Sequence, residues 1–436
     1  MSASSLSSHW GWTVEARDHH IPHAKMRPLR FLVDTVGDAF FEAMAAVHPE
    51  VLTSSQDVLE ATTLSFMSTS RASAETVSTR FVDEVTTPPA WLDRSALETG
   101  ASVFLKYSFT SLLSLLYFSL LVGFSAPKIT KVLDATGYLT KSAADATWRR
   151  LNETLDMVVR CMGQGAMETH SGDGFKSVLR VRMVHCRVRR RIMQRGWTAK
   201  AGGGKGDGDA DDADPTPDGQ PLNEMDMLVT LLSFSSNVLH TIKRCGAPLL
   251  SRQEEHCYLH LWRYIGHLLG VHDEQLVYLS SPEAARGATE SLAMSLLYPN
   301  SRSQEIANSI LRAISSRPPL RWSLGVHAAV ARHLLGAPIS DALAIQKPGL
   351  LIHLYTTFIF VCIRVFNGVA PFFFNSEVAK RVRARLRWAV NQALHSKPSA
   401  AAHVAVVAPS SEGRFPLPGA SSTSSSAERC PFSSAS

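Results

Sequence analysis

The sequence predicts an all-α protein, and two observations carry that prediction. From Pro28 onward the apolar residues recur every three or four positions, and no stretch sustains the alternation of a strand. The 436 residues are 45% hydrophobic and 19% charged, a balance that provides a sizeable core and excludes a wholly disordered chain.

Residues 1–27 are polar and histidine-dotted and read as an irregular lead-in. Helices are predicted over 31–47, 54–69, 73–84, 89–97, 100–125, 127–135, 142–162 and 174–196. A second series follows over 223–243, 251–270, 281–296, 302–316, 320–334, 339–344, 347–368 and 376–395. Together they make one large domain, 28–395. Ala199 to Gln220 has no large apolar residue and a glycine run, so it cannot repay the entropy of ordering and reads as a flexible insertion, 199–220. Its Asp207-Gly208-Asp209-Ala210-Asp211 alternates like part of a calcium loop but lacks the placed glycine and closing glutamate of that motif. Residues 396–436, rich in Ser, Ala and Pro, read as a disordered tail.

The net charge of +6 comes from 44 basic against 38 acidic residues. The basic excess gathers around 180–195 and 378–387 without a zinc finger, recognition helix or aromatic-interleaved basic strand, so no nucleic-acid partner is expected. The six cysteines form no Cys-x-x-Cys pair, and four sit in apolar helical contexts, which favours a reducing intracellular compartment. Met1 to Ala16 lacks the basic-then-apolar order of a secretory signal, so secretion is not expected. A membrane surface stays open as a partner, because Tyr107 to Pro127 and Pro348 to Cys362 are long apolar stretches. The first is diluted by Ser108, Thr110, Ser111, Ser114 and Ser119 and equally suits a buried helix.

The most informative run is Arg180-Val-Arg-Met-Val-His185-Cys-Arg-Val-Arg-Arg-Arg191. On a helix Val178, Val181, Val188 and Ile192 share the face of His185, with arginines on both flanks. An imidazole in an apolar groove edged by guanidinium groups suits haem: a nitrogen for the iron, an apolar slot for the macrocycle and cations for the propionates. A single histidine on such a face is more often a hydrogen-bonded core residue, so other stretches must support the reading.

Three stretches bear on it. Arg150 and Thr154 lie one turn apart beside the apolar stripe of Trp148, Leu151, Leu155 and Val158, where a guanidinium and a hydroxyl could bind an anion or an iron-bound ligand. The alternative is an Arg150–Glu153 pair on a solvated face with Thr154 bonded to its own helix. Asn223 and Asp226 have capping-box spacing and read as structural. His256, His260 and His267 share a helical face, yet no second Glu-x-x-His completes a di-iron site, so they read as buried histidines near a cofactor.

Taken in order, these stretches resemble the catalytic domain shared by latex-clearing rubber oxygenases and the ER-bound MpaB-type oxygenases. The landmarks are Asp134-Ala-Thr-Gly137, Arg150-Leu-Asn-Glu-Thr154, Arg180 to Arg189, Pro221-Leu-Asn-Glu-Met-Asp226 with Thr230 and Phe234, and Tyr258 to Gly270 around Trp262. The likeness extends over about 95–395.

That resemblance implies a globin-like helical core with additional surrounding helices holding haem b, with His185 as the proximal iron ligand. It implies that Arg150 and Thr154 line the pocket, and it places Asp134 at a suggestive position for a catalytic role. Arg182 and Arg189, at −3 and +4 from His185, become candidate propionate partners. The implied chemistry is a haem-dependent oxygenase that uses dioxygen to cleave or oxygenate an apolar, isoprenoid-like substrate. Glu153 departs from the family, which places a lysine there. That departure keeps open an alternative, a non-catalytic haem- or lipid-binding helical protein of the same fold, membrane-associated or not.

Overall fold

Side-chain caps fix where many helices begin. Asp34, Asp93, Asn223, Ser251, Ser281, Asn300 and Ser323 each precede a helix and accept a hydrogen bond from a backbone N–H of its first turn, satisfying a donor the helix leaves orphaned. In the computed structural model, residues 7–9, 12–14, 19–70, 76–136, 144–197, 219–247, 249–318 and 320–395 are described.

Strands β1 (Ser7–His9) and β2 (Trp12–Val14) precede α1 (His23–Leu29), α2 (Thr35–Val47), α3 (Gln56–Ser70), α4 (Thr76–Thr86) and α5 (Arg94–Lys106). Then come α6 (Ser108–Leu113), a π-helical stretch over Ser114–Leu120, α7 (Leu121–Gly123), α8 (Pro127–Thr136), α9 (Ala144–Cys161) and α10 (Asp173–Gln194). The second half holds α11 (Glu224–Phe234), α12 (Ser236–Arg244), α13 (Arg252–Leu268), α14 (Asp273–Leu276), α15 (Pro282–Leu296) and α16 (Ser301–Ile314). It closes with α17 (Leu324–Leu335), α18 (Ala337–Ala342), α19 (Leu350–Phe373) and α20 (Ser376–His395).

The all-α expectation holds, with one exception. The lead-in is more ordered than its composition suggests: β1 and β2 pair antiparallel, Ser7 opposite Val14 and His9 opposite Trp12, and α1 starts at His23. Three-residue strands are too short for alternation to register in sequence. Residues 199–218 of the expected insertion and the expected tail at 396–436 lie outside the described residues.

Two apolar cores organise the domain. The larger is centred on α13, whose Leu259, Leu261, Trp262, Ile265 and Leu268 are all buried. Helix α5 crosses α13 at Gly100, where a Cβ would stand 2.3 Å from the Cys257 carbonyl oxygen, so only glycine permits this approach. The smaller core joins the π-helical stretch, α16, α17 and the inner face of α19.

The expected helix over 100–125 is two helices. The chain turns at the fully buried Tyr107, and α5 meets the segment Ser108–Gly123 at 84°. This apolar stretch is interior: Leu113, Tyr117 and Leu121 are buried. Two of the serines that dilute its hydropathy bond inward, Ser114 Oγ donating to the Asn237 carbonyl at 3.1 Å and Ser119 Oγ to the Ser233 carbonyl at 2.6 Å. The same pairing accounts for Thr110, which bonds Asn367 of α19.

In the smaller core the Tyr117 hydroxyl meets His327 Nδ1 at 2.5 Å. Burial pushes the His327 pKa down to about 4, below the unfolded value of about 6.5. Between those values the unfolded chain binds the proton and the folded chain does not, so the contribution is intact above pH 6.5 and is lost as pH falls through 4. Urea unfolding across this range should show stability declining with acidification, and His327→Gln should flatten that slope. An unchanged slope in the variant would refute the assignment.

Candidate functional site

Helix α10 is rich in arginine, yet three of its guanidinium groups point inward. Arg182 is 1% exposed. Its Nε and one terminal nitrogen bond both carboxylate oxygens of Asp34 at 2.7 Å, the same terminal nitrogen reaches Glu84 Oε1 at 2.7 Å, and the group lies over the Phe81 ring at 4.8 Å. Arg189 pairs with Asp38 and donates to the Pro221 and Leu222 carbonyls at 3.3 and 3.1 Å. Arg180 bridges Glu60 at 3.3 Å and Asp156 at 3.4 Å.

Arg182 and Arg189, the candidate propionate partners, are thus engaged by Asp34, Glu84 and Asp38 of the same chain, while Arg182 Nη1 is buried without a hydrogen-bond partner. A buried arginine without such carboxylates would cost several kcal/mol. The signal was present in sequence as Asp34, Asp38 and Glu42, an acidic row at helical spacing that meets Arg182, Arg189 and Arg190 in turn.

His185 sits among these arginines on the stripe the sequence indicates. Val178 and Ile192 are buried at its ends, whereas Val181, Val184, His185 and Val188 in the middle are only half-covered. Nδ1 of His185 is buried without a hydrogen-bond partner. Burial, reinforced by the Arg189 guanidinium against the opposing pull of Asp34, pushes its pKa down to about 4. The imidazole is therefore neutral at physiological pH, with a lone pair available. A neutral ring with a free nitrogen, set in apolar surface that protein atoms do not finish covering, fits an axial ligand to an apolar macrocycle.

Three helices meet at the level of His185. Arg187 donates to the Val51 and Ser54 carbonyls at 3.2 and 2.9 Å just ahead of α3, and Arg180 reaches Glu60 further along it. Helix α3 is thereby antiparallel to α10, and between those anchors Gln56 stands at about the height of His185. Gln56 Nε2 donates to Glu153 Oε2 of α9 at 3.0 Å, and Arg149 holds the other oxygen at 3.3 Å. Sequence reasoning missed Gln56, whose partner is 97 residues away.

Arg150 and Thr154 lie one turn apart on α9 as expected, Arg150 half-buried and Thr154 exposed. The Thr154 hydroxyl donates to the Arg150 carbonyl at 3.3 Å, the intrahelical bond that the sequence left as an alternative. Asp134 lies on α8, and its side chain is outside the described set.

Two of the three α13 histidines have structural partners. His260 Nε2 accepts from the Asp93 N–H at 2.9 Å, and His267 Nε2 meets the Glu84 carbonyl at 3.3 Å. Among the described residues no three His, Cys, Asp or Glu side chains could hold a metal together. Asn223 and Asp226 form the expected capping box, and burial pushes the Asp226 carboxyl up to about 7.

The described helices share their fold with a solved latex-clearing protein. The likeness to the solved "Structure of Latex Clearing Protein LCP in the closed state" covers 90% of this chain and 95% of that one, with a TM-score of 0.60 at 18% identity, and it shows the fold. Residues 108–359 match the family "ER-bound oxygenase mpaB/B'/Rubber oxygenase, catalytic domain", and the chain belongs to that family. A rubber oxygenase of Streptomyces sp. (strain K30) is 24% identical over 281 residues, 64% of this chain and 62% of the relative, so the chain matches less than two thirds of that protein's length.

The Arg182–Asp34 pair also depends on space. Gly270, at φ +83°, would place a Cβ 2.6 Å from Asp34 Oδ2 and 2.7 Å from Arg182 Nε. Gly270→Ala combines backbone strain with displacement of a buried ion pair and should destabilise by about 3 kcal/mol in urea unfolding. Gly349, with open space around its Cβ position, should tolerate alanine within about 0.5 kcal/mol. Equal effects at both positions would show that the ion pair does not constrain Gly270.

Proposed function

We propose that the chain is a haem b-dependent oxygenase acting with dioxygen on an apolar, isoprenoid-like substrate. The carrying observation is His185, neutral and with its buried Nδ1 unpartnered on a partly covered apolar stripe, in a chain that belongs to an oxygenase family. Haem, when bound, supplies a redox-active iron for dioxygen chemistry. The protein's part would be to hold it through the His185 imidazole and keep that ligand unprotonated through burial and the nearby Arg189 charge. Val181, Val184 and Val188 would exclude water from the macrocycle. Arg150 and Thr154 would present a cation and a hydroxyl from α9, and Asp134 is proposed as a further catalytic carboxyl.

Haem-reconstituted protein should show a Soret band. His185→Ala should reduce it to the level of free haem with far-UV circular dichroism unchanged, and a band that persists would remove His185 as the ligand. Supplied with isoprenoid oligomers, the holoprotein should consume dioxygen and form carbonyl products. Glu153 favours a second reading, haem or lipid binding without turnover, because it stands where the rubber oxygenases carry a lysine and is already engaged by Gln56 and Arg149. A Soret band without oxygen uptake would select that reading.

A further inference from the structure

Helix α19 is one-sided. Thr356, Phe360, Ile363, Asn367 and Ala370 are buried against the domain, with Phe360 stacked on His333 at 3.8 Å and Asn367 donating to Thr110 Oγ1 at 3.0 Å and to the Cys245 carbonyl at 2.9 Å. The opposite face is apolar and open: Leu351 is 81% exposed, Phe358 64% and Phe372 74%. At about 100° per residue the large exposed apolar side chains of α19 fall within an arc of about 160°, centred opposite the buried row. No acidic residue occurs in the 24-residue helix, and its mean hydropathy is 1.7 over the most apolar window.

Exposed cations precede and follow α19 in the chain. Lys347 is exposed three residues ahead of α19. On α20, Arg383 and Arg387 point inward, to the Val159 and Arg160 carbonyls and to Asp173, while Arg381 and Arg385 are exposed one turn apart and Trp388, 66% exposed, follows on the same face. Because the buried row fastens α19 to the domain along its length, the helix cannot be surrounded by lipid as a span.

We propose that the outer face of α19 embeds in one leaflet of a lipid bilayer carrying anionic headgroups, with Lys347, Arg381 and Arg385 against the headgroups and Trp388 at the interface. An exposed apolar helix face with cations and an indole on the adjoining segments is the chemistry of interfacial attachment. The proposal does not rest on haem binding or on turnover.

The full chain should float with phosphatidylcholine vesicles containing phosphatidylserine, and less strongly with phosphatidylcholine alone. Phe358→Glu combined with Val365→Glu, both at exposed positions, should lower vesicle binding by at least about tenfold. Arg381→Ala and Arg385→Ala should each lower the preference for anionic vesicles by about fivefold. Cys362 lies exposed within the same arc while Cys161, Cys186, Cys245 and Cys257 are buried. An environment-sensitive fluorophore on Cys362, in a Cys430→Ser background, should therefore shift to the blue when vesicles are added, whatever the stability of the glutamate variant. Failure of the unaltered chain to float, or flotation unchanged by the two glutamates, would overturn the proposal. A soluble dimer that the glutamates dissociate, with no vesicle binding, would assign the face to a second copy instead.

Discussion

Arg182 is the group around which the rest of the domain is arranged. A guanidinium cannot give up its proton at any relevant pH, so once buried it must be matched by carboxylates. Asp34 and Glu84 match it, and in doing so bind α10 to the start of α2 and to α4. The coulombic pull of these carboxylates raises the Arg182 pKa further still. Space for the pair comes from two glycines: a Cβ at Gly37 or Gly270 would collide with Asp34. Gly270 also ends α13, where the Val271 N–H bonds the Gly266 carbonyl at 3.0 Å across a left-handed residue. One buried cation thus sets how α2, α4, α10 and the end of α13 come together.

That network also defines the state of His185. The residue lies between Arg182 and Arg189 on α10, and the nearer balance of charge and burial disfavours the imidazolium. A histidine in the same apolar stripe without Arg189 would hold a proton more readily, and a protonated ring has no lone pair for a metal. Arg189 therefore acts on the candidate ligand through electrostatics, and Arg182 through the framework it holds.

Much of the fold was legible because helices announce themselves locally. The predicted 174–196 and the observed α10, Asp173–Gln194, differ by one or two residues at each end, and the cap at Asn223 lies where its spacing puts it. His185 was legible for the same reason, since a stripe is a property of nearby residues. The partners of Arg182 and Arg189 were not, because Asp34 and Asp38 precede them by 148 and 151 residues and only tertiary packing joins them. Hydropathy likewise could not separate Tyr107–Pro127 from Pro348–Cys362. What separates them is where the polar groups bond and which faces are covered, the first wrapped by α11, α12 and α17 and the second covered on one side only.

The C-terminal helix links these regions. Arg383 of α20 donates to the Val159 and Arg160 carbonyls at the end of α9, where the helix dipole favours a cation, and a Cβ on Gly163 would strike that guanidinium. Arg387 pairs with Asp173 at 3.0 Å in the first turn of α10. One helix therefore grips the end of α9, which carries Arg150 and Thr154, and the beginning of α10, which carries His185. The outward side of the same helix bears Arg381, Arg385 and Trp388, and α19 enters it through Phe374 and Asn375. Two contacts at helix termini thus join α20, which follows α19 directly, to the two helices that carry the candidate site residues.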